Sequence, residues 1–145
     1  MNPHFTTPLG RLPVECIYQA SKVFQNGGPY THLLRANGFA AKSDPRLRSS
    51  GRLTAFRFNE KNYPLEPKTL FYDALWFGAF SQNGYKLEQL MPYTGFTDRF
   101  HTRNSLACQA RSAALYPSLK MYYAADPAAA QLLQLLRDTY RQITT

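Results

Sequence analysis

Apolar positions recur along most of this chain with the period of a helix. In "PKTLFYDALWFGAFSQ", from Pro67 to about Gln82, Phe71, Ala74, Leu75, Gly78 and Ala79 fall three and four residues apart. The small residues of that stripe leave room for a close neighbour, and Asn83-Gly84 stops it. Near the end, "DPAAAQLLQLLRDTYRQ" sets Leu132, Leu133, Leu136 and Tyr140 on one face, with Asp126 as cap and Pro127 in the first turn. "NSLACQARSAALYPSL" predicts another helix, interrupted or ended at Pro117, and one more is expected from near Tyr85 to before Pro92. Earlier, a helix is predicted from Pro13 to about Gln25, where "NGGP" stops it through a glycine cap and a proline. A short helix around Tyr30 to Arg35 follows, and "KSDPRLRSSG" is either a basic loop or a capped short helix. Only "RLTAFRF" with "NEKN" after it alternates as a strand and turn. Residues 1–12 read as an irregular arm. The pattern predicts a mainly α, compact single domain over residues 13–145, with at most a small β element.

Composition narrows the picture. At 145 residues and 44% hydrophobic, the chain is long and apolar enough for one packed core, which excludes disorder. Its net charge of +8 favours an anionic partner, nucleic acid first. Arg35, Lys42, Arg46, Arg48, Arg52, Arg57 and Lys61 face only Asp44 and Glu60 in one stretch, and Arg99, Arg103, Arg111 and Lys120 face no carboxylate in another. Aromatics at 14% suit either a ring-rich core or a site that stacks on sugars and bases. Cys16 and Cys108 lack metal-site spacing, so neither a metal nor another cofactor is expected. With no apolar leader and no run of membrane-spanning length, the expectation is a cytoplasmic protein with reduced thiols and no membrane partner.

One short stretch carries candidate chemistry. "VECIYQASK" places Glu15, Gln19 and Lys22 at i, i+4 and i+7, in a row on one helical face. Such a row is ordinarily the wet side of an amphipathic helix. In a cleft it has other uses. Lys22 binds an anion or, desolvated, attacks a carbonyl carbon; Glu15 acts as general acid or base; Gln19 orients a sugar hydroxyl. Spacing alone does not choose between the two.

The stretch resembles the signature of the NADAR family, in Glu15, Gln19, Ala20 and Lys22. The likeness continues through "SKVFQNGGPYTHLL", "AAKSDPRLRSSGRLTAFRF", "YPLEPKTLFYDALW" and "NSLACQARSAAL", from about Pro13 to Leu119. This series is similar to the NADAR branch that acts as antitoxins to DarT-type DNA ADP-ribosyltransferases. The resemblance implies a NADAR-like helical fold and an N-glycosidase-type hydrolase. Its implied substrate is ADP-ribosylated DNA, with ADP-ribose on the guanine amino group and free ADP-ribose as product; its implied partner is a DarT-like toxin. Relatives of that branch carry a longer, aromatic-rich segment before the signature helix, so the expectation is either a minimal version of the fold or a partner chain or oligomer that completes the pocket.

On this resemblance Glu15 and Lys22 form the catalytic centre, with Lys22 acting through a Schiff base or through charge alone. Asp98 in "FTD" is either a second carboxylate or an Asx-turn residue. Gln19, Tyr30, Tyr72, Asn104 and Gln109 are candidate contacts to ADP-ribose, although Tyr72 also fits a half-buried helix position and Asn104 a helix cap. Lys42 and Arg46 are candidate phosphate ligands or members of a solvated basic loop. Three other functions stay open: a catalytically silent module that binds ADP-ribose or ADP-ribosylated DNA, an N-glycosidase for another nucleotide-like metabolite, and a basic nucleic-acid-binding protein without a pocket.

Overall fold

The helix Leu70–Gln82 is the axis around which the rest is built. In the computed structural model, which describes residues 3–83, 89, 92 and 109–145, every residue from Leu70 to Phe80 is buried. A helix apolar on all sides must be covered on all sides. Four layers do this: an N-terminal hairpin, the helix Val14–Ala20, a small sheet, and the two C-terminal helices. In chain order the elements are β1 (His4–Thr7), β2 (Gly10–Pro13), α1 (Val14–Ala20), β3 (Lys22–Phe24), a 3-10 turn (Thr31–Arg35), α2 (Gly38–Ser43), α3 (Arg46–Ser49), β4 (Leu53–Phe58), β5 (Lys61–Tyr63), α4 (Leu70–Gln82), α5 (Gln109–Tyr122) and α6 (Pro127–Thr144).

The helical part of the expected fold class is present, and the β content is larger than one small element. Two antiparallel sheets stand among the described residues, β1-β2 and β3-β4-β5. Residues 4–12, expected within an irregular arm, form the first together with Pro13, expected to open the helix. Phe5, opposite Leu12, is wholly buried, and the Thr7 hydroxyl fixes the turn by donating to the Gly10 carbonyl and accepting from Leu9 N–H. Gln82 satisfies the outer edge of β1: its amide accepts from Thr6 N–H at 2.6 Å and donates to Thr6 C=O at 2.9 Å. Gly78 is where hairpin, α4 and α6 meet, and a methyl there would collide with the rings of Phe5 and Tyr140.

The helix expected to reach Gln25 ends at Ala20, and Lys22–Phe24 is strand. The Ser21 hydroxyl turns back to the Ile17 carbonyl at 2.7 Å, while the Ser21 carbonyl accepts Arg57 N–H at 2.7 Å. Lys22 then pairs with Phe56, and Phe56 with Tyr63 on the next strand. "RLTAFRF" and the start of "NEKN" are the strand and turn the alternation predicted, with Asn59 and Glu60 at positive φ in the turn and Lys61 and Asn62 already in β5. Pro117, expected to interrupt or end its helix, lies inside α5 and is buried. In α6, Asp126 caps the first turn by accepting Ala128 N–H at 2.9 Å, and Lys61 Nζ donates to the Gln142 carbonyl at 3.0 Å near the last turn. No helix of the described residues is long and apolar enough to cross a membrane. The helix expected between Tyr85 and Pro92 lies outside the described residues apart from positions 89 and 92.

Candidate active site

α1 is wedged between two apolar clusters. Val14 and Ile17 join the main core, while Cys16 and Ala20 pack with Leu33 of the 3-10 turn and Ala41 of α2. With both flanks buried, Glu15 and Tyr18 stay half-open on the remaining edge. Gln19, four residues after Glu15, is only 4% exposed. Its Nε2 donates to Glu15 Oε1 at 2.6 Å, and its own Oε1, also buried, has no hydrogen-bond partner among the described residues. A buried acceptor without a donor is costly, and a water or a ligand hydroxyl or N–H would satisfy it.

Lys22 reaches the same edge from β3. Its Nζ lies 4.6 Å from the centroid of the Tyr18 ring, a cation–π contact in a half-buried setting. Burial lowers its pKa from 10.5 to about 8; the Glu15 carboxylate opposes the shift, and the positive charge of Lys42 adds to it. Lys42, in the last turn of α2, is therefore electrostatically part of this site. Burial, then the negative charges of Glu15 and Asp73, push the Tyr18 phenol up to about 12, which keeps it a neutral donor.

The loop "NGGP" packs against Lys22 instead of capping a helix. Phe24 N–H donates to the Gly27 carbonyl at 2.7 Å. Gly28 has φ +87°, and a Cβ there would strike the Lys22 carbonyl; at Gly27 it would strike the Tyr30 hydroxyl. The loop thus delivers Tyr30, whose N–H donates to the Ala20 carbonyl at 2.8 Å. Tyr30 OH shares a hydrogen bond with Ser50, and its ring carries the Arg46 guanidinium 5.0 Å from the centroid. Arg46 also holds Asp44 through both carboxylate oxygens and touches His32, so its charge is largely matched, and Asp44 sits well below the usual carboxylate range.

The structure thus brings Glu15, Gln19, Lys22 and Lys42 together and sets Tyr30 with Arg46 beside them. Tyr72, expected to touch a ligand, is 3% exposed and stands behind the site, edge-on to Tyr18 at 4.6 Å between centroids. Gln109 opens α5, half-buried and bonded. Asp98 and Asn104 lie outside the described residues.

Two residues of the site's frame escaped the sequence. Tyr18 is three residues after Glu15 and four before Lys22, the spacing at which an aromatic shares the row, and that was the available signal. Asp73, 5% exposed, accepts from Thr69 Oγ1 at 2.7 Å, Arg111 Nη1 at 2.6 Å and Ser112 Oγ at 2.6 Å, which clamps α5 to α4 behind Tyr18. No short-range pattern announces a clamp between residues so far apart. Cys16 donates to the Ala36 carbonyl at 3.1 Å, and burial raises its thiol pKa, so it is a packing residue. Among the described residues no group of three His, Cys, Asp or Glu side chains could hold a metal ion.

Chemically, the site offers an amine whose burial favours the neutral form, a carboxylate near it, and a buried acceptor without a donor among the described residues. Comparison with curated proteins finds no match. The model of the DarT1-associated NADAR antitoxin family does match, over residues 1–142. That span takes in every element framing Lys22, and the chain belongs to the DarT1-associated NADAR antitoxins.

Proposed function

We propose that this protein is an N-glycosidic hydrolase that removes ADP-ribose from the guanine amino group of DNA and so reverses the damage done by a DarT-like toxin. The observation that carries the proposal is Lys22, desolvated to a pKa of about 8 beside Glu15 and the bonded amide of Gln19. An ordinary surface lysine at neutral pH is neutral roughly once in a thousand molecules; a pKa near 8 raises that fraction by roughly two orders of magnitude.

The chemistry follows from those groups. Opening of the ribose ring leaves C1″ joined to the guanine nitrogen as an imine. The Lys22 amine adds to C1″, the C1″–N bond to guanine breaks, and Glu15 delivers the proton that departs with the guanine amine. Water then hydrolyses the Lys22–C1″ Schiff base, which frees the amine and returns ADP-ribose as the aldehyde that closes its ring. Across the cycle one water is consumed and no electrons move. The Gln19 carbonyl accepts a ribose hydroxyl, and Lys42 attracts the pyrophosphate.

The test uses an oligonucleotide carrying ADP-ribose on guanine, a thymine-linked control, and Glu15→Ala and Lys22→Met variants. Release from guanine alone, lost in both variants, with a lysine–ribose adduct trapped by borohydride, is the expected result. Release without any trapped adduct would reduce Lys22 to an electrostatic role. Tight retention without release would replace the hydrolase by a binding module.

A further inference from the structure

We infer that Phe39 and the cations around it grip the single DNA strand next to the modified base, with Phe39 stacking on an exposed nucleobase; this rests on the DNA substrate proposed above. Phe39 is 81% exposed, more than any other large hydrophobic side chain among the described residues. Its helix is not loose. Asn37 caps α2 by accepting Ala40 N–H at 2.8 Å, and Ala41 is wholly buried in the cluster with Cys16 and Ala20 of α1. Two residues from Ala41, Phe39 must project from the opposite side of that helix. Lys42 is its i+3 neighbour, and Lys42 is close enough to Lys22 to lower that amine's pKa. The exposed ring is therefore one turn from a residue the candidate active site already feels.

The charge of the chain segment that carries Phe39 is one-sided. Between residues 31 and 59 the only carboxylate is Asp44, and Arg46 holds it. Arg35, Lys42, Arg48 and Arg52 are exposed and make no ion pair among the described residues. An exposed aromatic on a segment rich in unpaired cations matches a strand whose phosphates meet the cations while its bases stack. A protein partner would ask for a contiguous apolar patch, and the sequence neighbours Asn37, Gly38, Ala40, Lys42 and Ser43 are polar or small. A duplex would hide its base faces. The guanine amino group is moreover a base-pairing donor, so ADP-ribose attached there favours an unpaired base.

The measurement is fluorescence anisotropy with a short unmodified single strand and its duplex, against the wild type, Phe39→Ala and Phe39→Trp. Phe39→Ala should weaken single-strand binding by about tenfold, Phe39→Trp should keep it, and the duplex should not distinguish the three. Equal single-strand affinity for wild type and Phe39→Ala, or the same loss on the duplex, would overturn the inference. Matching thermal melts exclude a folding effect. Because the probe carries no ADP-ribose, Phe39-dependent binding without any hydrolysis of modified DNA would sink the hydrolase and leave this strand-binding surface standing.

Discussion

Replacing Lys22 by methionine should abolish activity and at the same time stabilise the protein at neutral pH. The ammonium titrates at about 8 when folded and at 10.5 when free, so below pH 8 the unfolded chain holds that proton more tightly than the native one. The sign follows directly. A lysine with a depressed folded pKa burdens stability fully below about pH 8, and the burden fades as pH rises toward 10.5. Two and a half units correspond to about 3 kcal/mol at pH 7; partial exposure of the side chain and the cation–π contact with Tyr18 bring the net gain to about 1–3 kcal/mol. Near pH 10 less than about 1 kcal/mol remains. Urea unfolding of wild type and Lys22→Met at pH 7 and pH 10 reads this out. The raised pKa values of Tyr18 and Tyr63 also make stability pH-dependent, but both proteins share them, so the difference between the two proteins isolates Lys22 to first order. A variant no more stable than wild type at pH 7, or one whose advantage is unchanged at pH 10, would refute a desolvated ammonium at this site. The gain would also explain why such a lysine is a liability unless the reaction needs it.

Three further outcomes follow from the same geometry. Lys42→Met removes a neighbour that lowers the Lys22 pKa, so the alkaline rise in single-turnover ADP-ribose release at saturating substrate should move to higher pH; a downward move would contradict the nucleophile assignment. Asp73→Ala leaves Thr69, Arg111 and Ser112 without their shared acceptor and should cost about 3 kcal/mol, a fall in Tm of roughly 10 °C, whereas loss of activity at unchanged Tm would place Asp73 in the chemistry. Gly78→Ala forces a methyl into the Phe5 and Tyr140 rings and should lower the urea midpoint by the equivalent of about 1–3 kcal/mol; an unchanged midpoint would mean the hairpin is not packed as described.

What the sequence made legible was what local pattern decides. α4 and α6 stand where three-and-four spacing put them, although only α6 buries a single stripe and α4 is covered on all sides. β4 follows from alternation before a polar turn, whereas β5 takes up Lys61 and Asn62 of the stretch read as that turn. The hairpin of residues 4–13 was invisible because each strand has four residues and Phe5 is the only large apolar side chain in the first. Its order comes from partners at positions 78, 82 and 140, far along the chain. β3 was hidden differently: Lys22, Val23 and Phe24 fit a helical continuation, and only pairing with β4 makes them strand. Likewise, the row of Glu15, Gln19 and Lys22 could be read from spacing, whereas the lowered Lys22 pKa depends on burial in the fold and on the charge of Lys42.

The break in α1 matters to that row more than its helical spacing does. Had the helix run on, Lys22 would stand seven residues beyond Glu15, about 10 Å along the axis, on a solvated face. At that distance in water the carboxylate and ammonium would scarcely influence one another. Ser21 prevents it. Its hydroxyl closes the last turn onto Ile17, and its carbonyl hands the chain to β4 through Arg57 N–H. The backbone then holds Lys22 opposite Phe56, whose ring packs 5.4 Å from Tyr18, and the Lys22 Nζ ends over the Tyr18 ring. Gly28 of "NGGP" packs closely against the Lys22 carbonyl, where a Cβ would not fit. A strand fixed by sheet bonds on one side and a tight loop on the other gives the amine less freedom than a helix end would. The motif is written as a helix, and the Lys22 amine comes over the Tyr18 ring because the chain stops being one before its last residue.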